Sequence, residues 1–291
     1  MNSIISIQSH VAYGYAGNRA AVFPLQRLGW DVTAVNTVQF SNHTGYDSFT
    51  GDVFAADHVR AVIDGVQAET GFAGVRALLS GYMGDPSIGT VVLDTAAKLR
   101  RHNPDTLYCC DPVMSDPDGG CQIHEGMPVW LREQAVPAAD IMTPNAHELF
   151  QLTGQAISTY ADALRAAAML RARGPRVVLV TSLLVDDAPA GHIAMLADTA
   201  AGSWVVSAPR LDLPARLSGT GDFITALFLA TCLERGTAGS APAYALGRTA
   251  AATQQLLEAT LAAGSAELTL IPAQDVIVNA RADEVEVQRL R

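Results

Sequence analysis

Short apolar runs alternate with amphipathic stretches along almost the whole chain. The runs at 3–8, 31–40, 75–82, 105–114, 140–145 and 176–183 read as buried strands. Between them, the stretches at roughly 17–28, 55–69, 86–101, 126–136, 146–153 and 158–173 read as helices. This rhythm predicts an α/β fold: a mainly parallel central sheet with helices on both faces. Two further runs, "GHIAML" and "GSWVVSAP" within 191–209, are joined by a short polar turn and predict an antiparallel hairpin near the sheet edge. Two long apolar helices follow at about 219–234 and 240–263, then a short strand candidate, "ELTLIP" (267–272). No low-complexity linker, repeat or charge run divides residues 1–291, which read as one domain.

Open α/β sheets bind ligands outside the carboxyl ends of their strands. Polar side chains gather at those ends here: Ser9 and His10, Asn42-His43-Thr44, Tyr82, Asp111, Thr143 to Glu148, and Thr181-Ser182.

With 49% hydrophobic and 16% charged residues, the 291-residue chain has ample material for a core. A net charge of −10 argues against nucleic acid as a partner. The four cysteines form no CxxC pair, and a reducing cytoplasm is the simplest setting for them. The N-terminus has no signal-peptide pattern, and no long unbroken apolar run indicates a membrane span. Lys98 is the only lysine, in a helix-like "AAKLRRH" that reads as a solvated face. A P-loop, a protein-kinase strand lysine and a Schiff-base lysine are therefore all disfavoured.

The stretch "SGTGD" (218–222) sets a glycine turn against an apolar helix. Its amides can point into one concavity beside the positive end of the helix, which suits an oxyanion or a transferring phosphoryl group. Asp222 can then take the proton of an attacking hydroxyl. An ordinary helix cap explains the stretch equally well on its own. "CDPVM" places Asp111 at a strand end before a proline, and "TPNAHE" (143–148) puts Asn145 and Glu148 on one face of a helix start. Each is explicable as a turn or a cap. Together, two acidic strand ends and a glycine nest describe Mg²⁺-assisted phosphoryl transfer better than three coincidences. "YGYAGN" (13–18) has only GxxG, without an acid after the second strand, so a dinucleotide site is weakly supported. GxSxG and HExxH are absent. Cys121 follows two glycines; the default is an inert thiol, and the sharper hypothesis is reversible addition to a bound aldehyde.

The segments "IQSHVAYGYAGNRAAVFPLQRLG", "VNTVQFSNHTGY", "LSGYMG", "CDPVM", "TPNAHEL" and "GTGD" stand in the order and spacing of the pyridoxal kinases, which the chain resembles to about residue 260. These belong to the ribokinase-like superfamily. The resemblance implies transfer of the ATP γ-phosphate to the 5′-hydroxymethyl of pyridoxal. It implies Asp222 as base, with the amides of Gly219, Thr220 and Gly221 as anion hole. Ser9, Thr44, Gly45 and Tyr82 would meet the substrate ring, with His43 on the same rim. Asp111, Thr143, Glu148, Thr181 and the stretch Ala208, Pro209, Arg210, Leu211 fall on ATP or metal positions, Asp111 and Glu148 meeting Mg²⁺ through water. Family members are generally homodimers, and a monovalent cation such as K⁺ is left open. Some bacterial relatives carry lysine where Thr181 stands, and the stretch before "GTGD" is slightly shortened here. The alternatives are a hydroxymethylpyrimidine kinase or dual-substrate enzyme, a pyridoxal-binding carrier or sensor, and, more distantly, a nucleotide-dependent oxidoreductase.

Overall fold

The structure, a computed structural model, describes residues 2–114, 123–214 and 217–291. The parallel strands are β1 (Ser3–Val11), β2 (Asp31–Phe40), β4 (Val75–Ser80), β5 (Leu107–Cys110), β6 (Ile141–Met142) and β7 (Val177–Leu183). The antiparallel ones are β3 (Gly51–Val53), β8 (His192–Thr199), β9 (Ser203–Pro209) and β10 (Gln288–Arg289). They form a single sheet in the order β10-β9-β8-β7-β6-β5-β4-β1-β2-β3. The strand order reverses at β1, which pairs in parallel with both β2 and β4. Helices α1 (Asn18–Arg27), α2 (Ala56–Thr70) and α3 (Pro86–His102) follow the first strands. Then come α4 (Met127–Trp130), a π-helical turn (Leu131–Ala135), α5 (Val136–Ala138), α6 (Ala146–Thr153), α7 (Tyr160–Arg171), α8 (Thr220–Arg235), α9 (Ala241–Ala262) and α10 (Asp275–Asn279).

Alternation along each strand sends neighbouring side chains to opposite faces. Ile5, Ile7, Leu78, Cys110, Met142, Val178 and Val180 pack with α2, α3, α6 and α7. Ile4, Ala77, Leu79, Cys109, Ile141, Val177 and Leu179 pack with α1, α8 and α9. Both faces are thus covered, which is why these strands read as unbroken apolar runs. Every residue from Phe223 to Cys232 of α8 is buried, because its outer side is covered by α9 and by Leu268, Leu270 and Ile277.

Several boundaries differ from expectation. β5 and β6 are shorter than the runs at 105–114 and 140–145, because Pro112 and Pro144 remove a donor just past each strand. The ladder trails off through Asp111 N–H to Ser80 O at 2.9 Å and Thr143 N–H to Cys110 O at 3.2 Å. The expected helix at 126–136 runs on to Ala138 through the π turn. Pro137 cannot bond back to the Glu133 carbonyl, and the wider turn accommodates it. "ELTLIP" is not a strand: Leu268 and Leu270 drop into the core under α8 and α9, and Thr269 N–H bonds Thr260 Oγ1 at 3.1 Å. The predicted hairpin forms as β8–β9, but β10 lies outside it, and β3 adds an antiparallel strand at the other edge. Lys98 pairs with Asp64 at 2.6 Å on the outer side of α3, as a solvated face requires.

No helix among the described residues is long and apolar enough to cross a membrane. Cys109, Cys110 and Cys232 are buried free thiols, and Cys121 lies outside the described residues.

Candidate active site

The turn after β1 reaches α8 directly. Gly17, at φ 56°, begins α1, and a Cβ there would sit 2.2 Å from the Ser9 carbonyl oxygen. Only glycine lets the turn close so tightly on the strand end. Its N–H donates to Asp222 Oδ2 at 2.8 Å, across 205 positions of sequence. Asn18 is buried behind it, accepting from Ser6 Oγ at 2.7 Å and donating to Asn36 Oδ1 at 2.9 Å.

At the start of α8, Gly219 is left-handed (φ 85°), and no side chain caps the helix. A Cβ on Gly219 would stand 2.4 Å from the Tyr15 carbonyl oxygen, so this turn is packed against the first one. Asp222 sits in the first turn of α8, where an acid suits the positive helix end, and its carboxyl accepts both from Gly17 and from its own N–H. A left-handed residue followed by helical ones directs successive amides into one concavity at the positive helix end. Asp222 is surrounded by protein yet keeps some solvent access. Burial raises its pKa from 3.8 to about 6, against the opposing effect of hydrogen bonds from the Gly17 amide and its own.

Asp111 is buried beside it. Its carboxyl is held well above the usual range, first by burial, then by the charges of Glu148 and Asp222; hydrogen bonds from Thr143 and Thr225 work the other way. The two threonine hydroxyls stand 2.8 Å apart. Thr143 is thus placed as a support for Asp111, and Thr225, one turn into α8, is a second support that its place in an apolar helix had concealed. Glu148 belongs to a capping box: Oε2 accepts from Asn145 N–H at 2.8 Å, Asn145 Oδ1 accepts from Glu148 N–H at 2.8 Å, and Oε1 accepts from Met114 N–H at 3.1 Å. One side chain thus caps α6 and holds the chain just past β5. No group of three or more His, Cys, Asp or Glu side chains among the described residues is placed to hold a metal ion directly.

Thr181, buried near the end of β7, donates its N–H to the Pro144 carbonyl at 3.0 Å, which sets it beside the Asn145 turn. The carboxyl ends of β5, β6 and β7 thus lie in a row. At the end of β9 and just past it, Pro209, Arg210 and Leu211 line a cavity of about 390 Å³ together with Ile193, Asp212, Leu213, Gln254 and Leu257. Ala208 pairs with Ile193 at its edge. Gln254 and Leu257 come from α9, and nothing in their sequence surroundings singled them out.

Ser9 is buried at the end of β1. Tyr82 packs against Val11, Ala16, Val38 and Phe40, and its carbonyl accepts from Thr37 Oγ1 at 2.8 Å. The loop after β2 brings in His43, Thr44 and Gly45. Gly45 N–H donates to His43 Nδ1 at 3.2 Å, and His43 Nε2 faces Glu267 Oε1 at 3.6 Å. Both ring nitrogens of His43 thus face protein groups, and the side chain shapes its own loop.

Known proteins resemble this chain over nearly its whole length. A family model described as phosphomethylpyrimidine kinase matches residues 15–269. The pyridoxal kinase PdxY of Rubrobacter xylanophilus is 48% identical over 277 residues, covering 95% of this chain and 93% of that protein. That of Deinococcus radiodurans is 46% identical, covering 94% and 91%. Among solved structures, pyridoxal kinase from Leishmania donovani in complex with ADP and ginkgotoxin is 30% identical with a TM-score of 0.89, covering 100% of both chains. The same enzyme in complex with ADP and pyridoxine gives 0.88 over 99% of both. The chain belongs to the pyridoxal kinases, within the phosphomethylpyrimidine kinase family of ribokinase-like proteins.

Proposed function

We propose that the chain phosphorylates pyridoxal, moving the γ-phosphoryl group of ATP to the 5′-hydroxymethyl oxygen. The observation that carries this reading is the Asp222 carboxyl, held by the Gly17 amide at the mouth of a glycine turn and titrating near 6. Such a group is ionised at neutral pH and still basic enough to accept a hydroxyl proton as that oxygen attacks. The oxygen–phosphorus bond forms, the proton passes to Asp222, the bond from the γ-phosphorus to the bridging oxygen breaks, and ADP leaves. The amides of Gly219, Thr220 and Gly221 would stabilise the negative charge of the transferring group.

In this reading Ser9, His43, Thr44, Gly45 and Tyr82 surround the substrate ring. Thr143, Thr181, and the cavity that includes Pro209, Arg210 and Leu211 take the nucleotide. The acidic pair Asp111 and Glu148 fits a divalent cation held through water, since burial and mutual repulsion hold the Asp111 carboxyl up and a cation relieves both. Mg²⁺ bound there would offset phosphate charge. A homodimer in the cytoplasm remains the expectation from the resemblance and the cysteine usage.

The test is ADP release from Mg·ATP with pyridoxal, pyridoxine, pyridoxamine and hydroxymethylpyrimidine offered separately. Turnover on pyridoxal is the expected result. A second reading, a hydroxymethylpyrimidine or dual-substrate kinase, draws support from the description of the matching family model. Turnover on the pyrimidine alone would establish it in place of the first. No turnover on any of the four would favour a binding protein.

A further inference from the structure

Glu267 lies in the segment expected to be a strand, and it is only 8% exposed. Its Oε1 accepts from the Tyr46 hydroxyl, 221 positions away in sequence, and faces His43 Nε2 at 3.6 Å. Its Oε2 accepts from Tyr15 N–H at 2.9 Å. The ring of His43 lies against that of Tyr46, 4.7 Å between centroids, and its Nδ1 takes the Gly45 N–H. Because Nδ1 accepts, the ring proton sits on Nε2, the nitrogen turned toward Glu267. Tyr15 is two residues before Gly17, whose amide holds Asp222, and its carbonyl oxygen packs on Gly219. One carboxyl group therefore joins the loop of His43, Thr44 and Gly45 to the turn that steadies Asp222.

Anchoring alone does not call for an acid here. Leu268 and Leu270 already fix the segment in the core, and Ser265 Oγ and Thr260 Oγ1 bond its backbone amides. Burying a carboxyl costs desolvation, which its hydrogen bonds offset only if all are made. Its partners belong to two loops, both on the rim where the substrate is read to bind.

We propose that Glu267 is a positioning residue, which locks the 43–46 loop against the 14–17 turn and so holds the substrate ring in register with Asp222. This rests on the substrate reading above. The experiment is steady-state kinetics of Glu267→Gln with each substrate varied in turn, beside amide exchange. Gln keeps the volume but presents an NH₂ where one acceptor was. We expect kcat/KM for pyridoxal to fall ~10-fold or more while KM for Mg·ATP stays within about twofold, the signature of a misplaced acceptor substrate. Amides of 43–46 should exchange faster and those of β4 to β7 should not. Tyr46→Phe should show the same split in milder form and add nothing to Glu267→Gln in a double-mutant cycle. If Glu267→Gln does not fold, Tyr46→Phe alone decides by the same split. Unchanged pyridoxal kinetics, a KM for Mg·ATP raised by as much as kcat/KM for pyridoxal falls, or strict additivity would overturn the proposal. If the wild-type enzyme proved to act on hydroxymethylpyrimidine instead, the substrate reading would fail, and the same split measured with that substrate would still decide for or against Glu267.

Discussion

Asp222 sits between two opposing influences, burial that favours its neutral form and the Gly17 amide that favours its charge, and burial is the larger. A base must be ionised to act, so the sign of the pH dependence follows. kcat/KM for pyridoxal should rise as pH increases through about 6 and level off above it. A profile flat from pH 5 to 8 would remove Asp222 from the role, and rate measurements at fixed Mg·ATP decide it. At this scale the legible residues were those with a local signature: glycines beside an acid at 219–222, an acid before proline at 111, and Asn-x-x-Glu at 145–148. Thr225 and Glu267 were not legible. A threonine in an apolar helix reads as filler, and an acid among alternating apolar residues reads as the wet side of a strand. Their partners lie far away in sequence, so only the fold reveals them.

Elements place those residues, and the β1–α1 turn does the most. Gly17→Ala would add a Cβ 2.2 Å from the Ser9 carbonyl at a positive φ, so the turn must shift. The backbone of Gly17, at φ 56° and ψ −131°, is one that L side chains rarely adopt, and that strain alone costs about 1–3 kcal/mol. Moving the amide off Asp222 also removes a hydrogen bond that lowers its pKa, so the acid limb of the rate profile should shift to higher pH in this variant. Thermal melting and the pH profile check the two effects separately, and an unmoved acid limb would mean that the Gly17 contact does not tune Asp222. The helices and the long strands were legible because their apolar periodicity is strong. β3 has three exposed residues and no apolar pattern to read. The prolines at 112, 137 and 144 were visible, but how each strand end and the π turn would accommodate them depends on neighbouring elements.

In the molecule as a whole, every part of the site is borrowed from a distant part of the chain, from Ser9 in the first strand to Glu267 near the end. The doubly covered sheet was legible because burial on both faces leaves unbroken apolar runs; the antiparallel strands at its two edges needed the tertiary structure. Holding a carboxyl in such a place weakens the fold. Because the folded-state pKa of Asp222 lies above the ordinary carboxylate value, the native state binds the extra proton between about 3.8 and 6. Stability is lost as pH rises through that window, and the cost is fully present above about 6. Asn at this position keeps an oxygen for the Gly17 amide and carries no charge. The most direct test is therefore Asp222→Asn at pH 8, assayed for ADP release from Mg·ATP with pyridoxal and for melting temperature. Turnover should fall ~10²–10⁴-fold, the range for a lost general base, in a protein that still binds nucleotide and melts no lower than the wild type. A variant that turns over at a near-normal rate would contradict the assignment of Asp222 as the base.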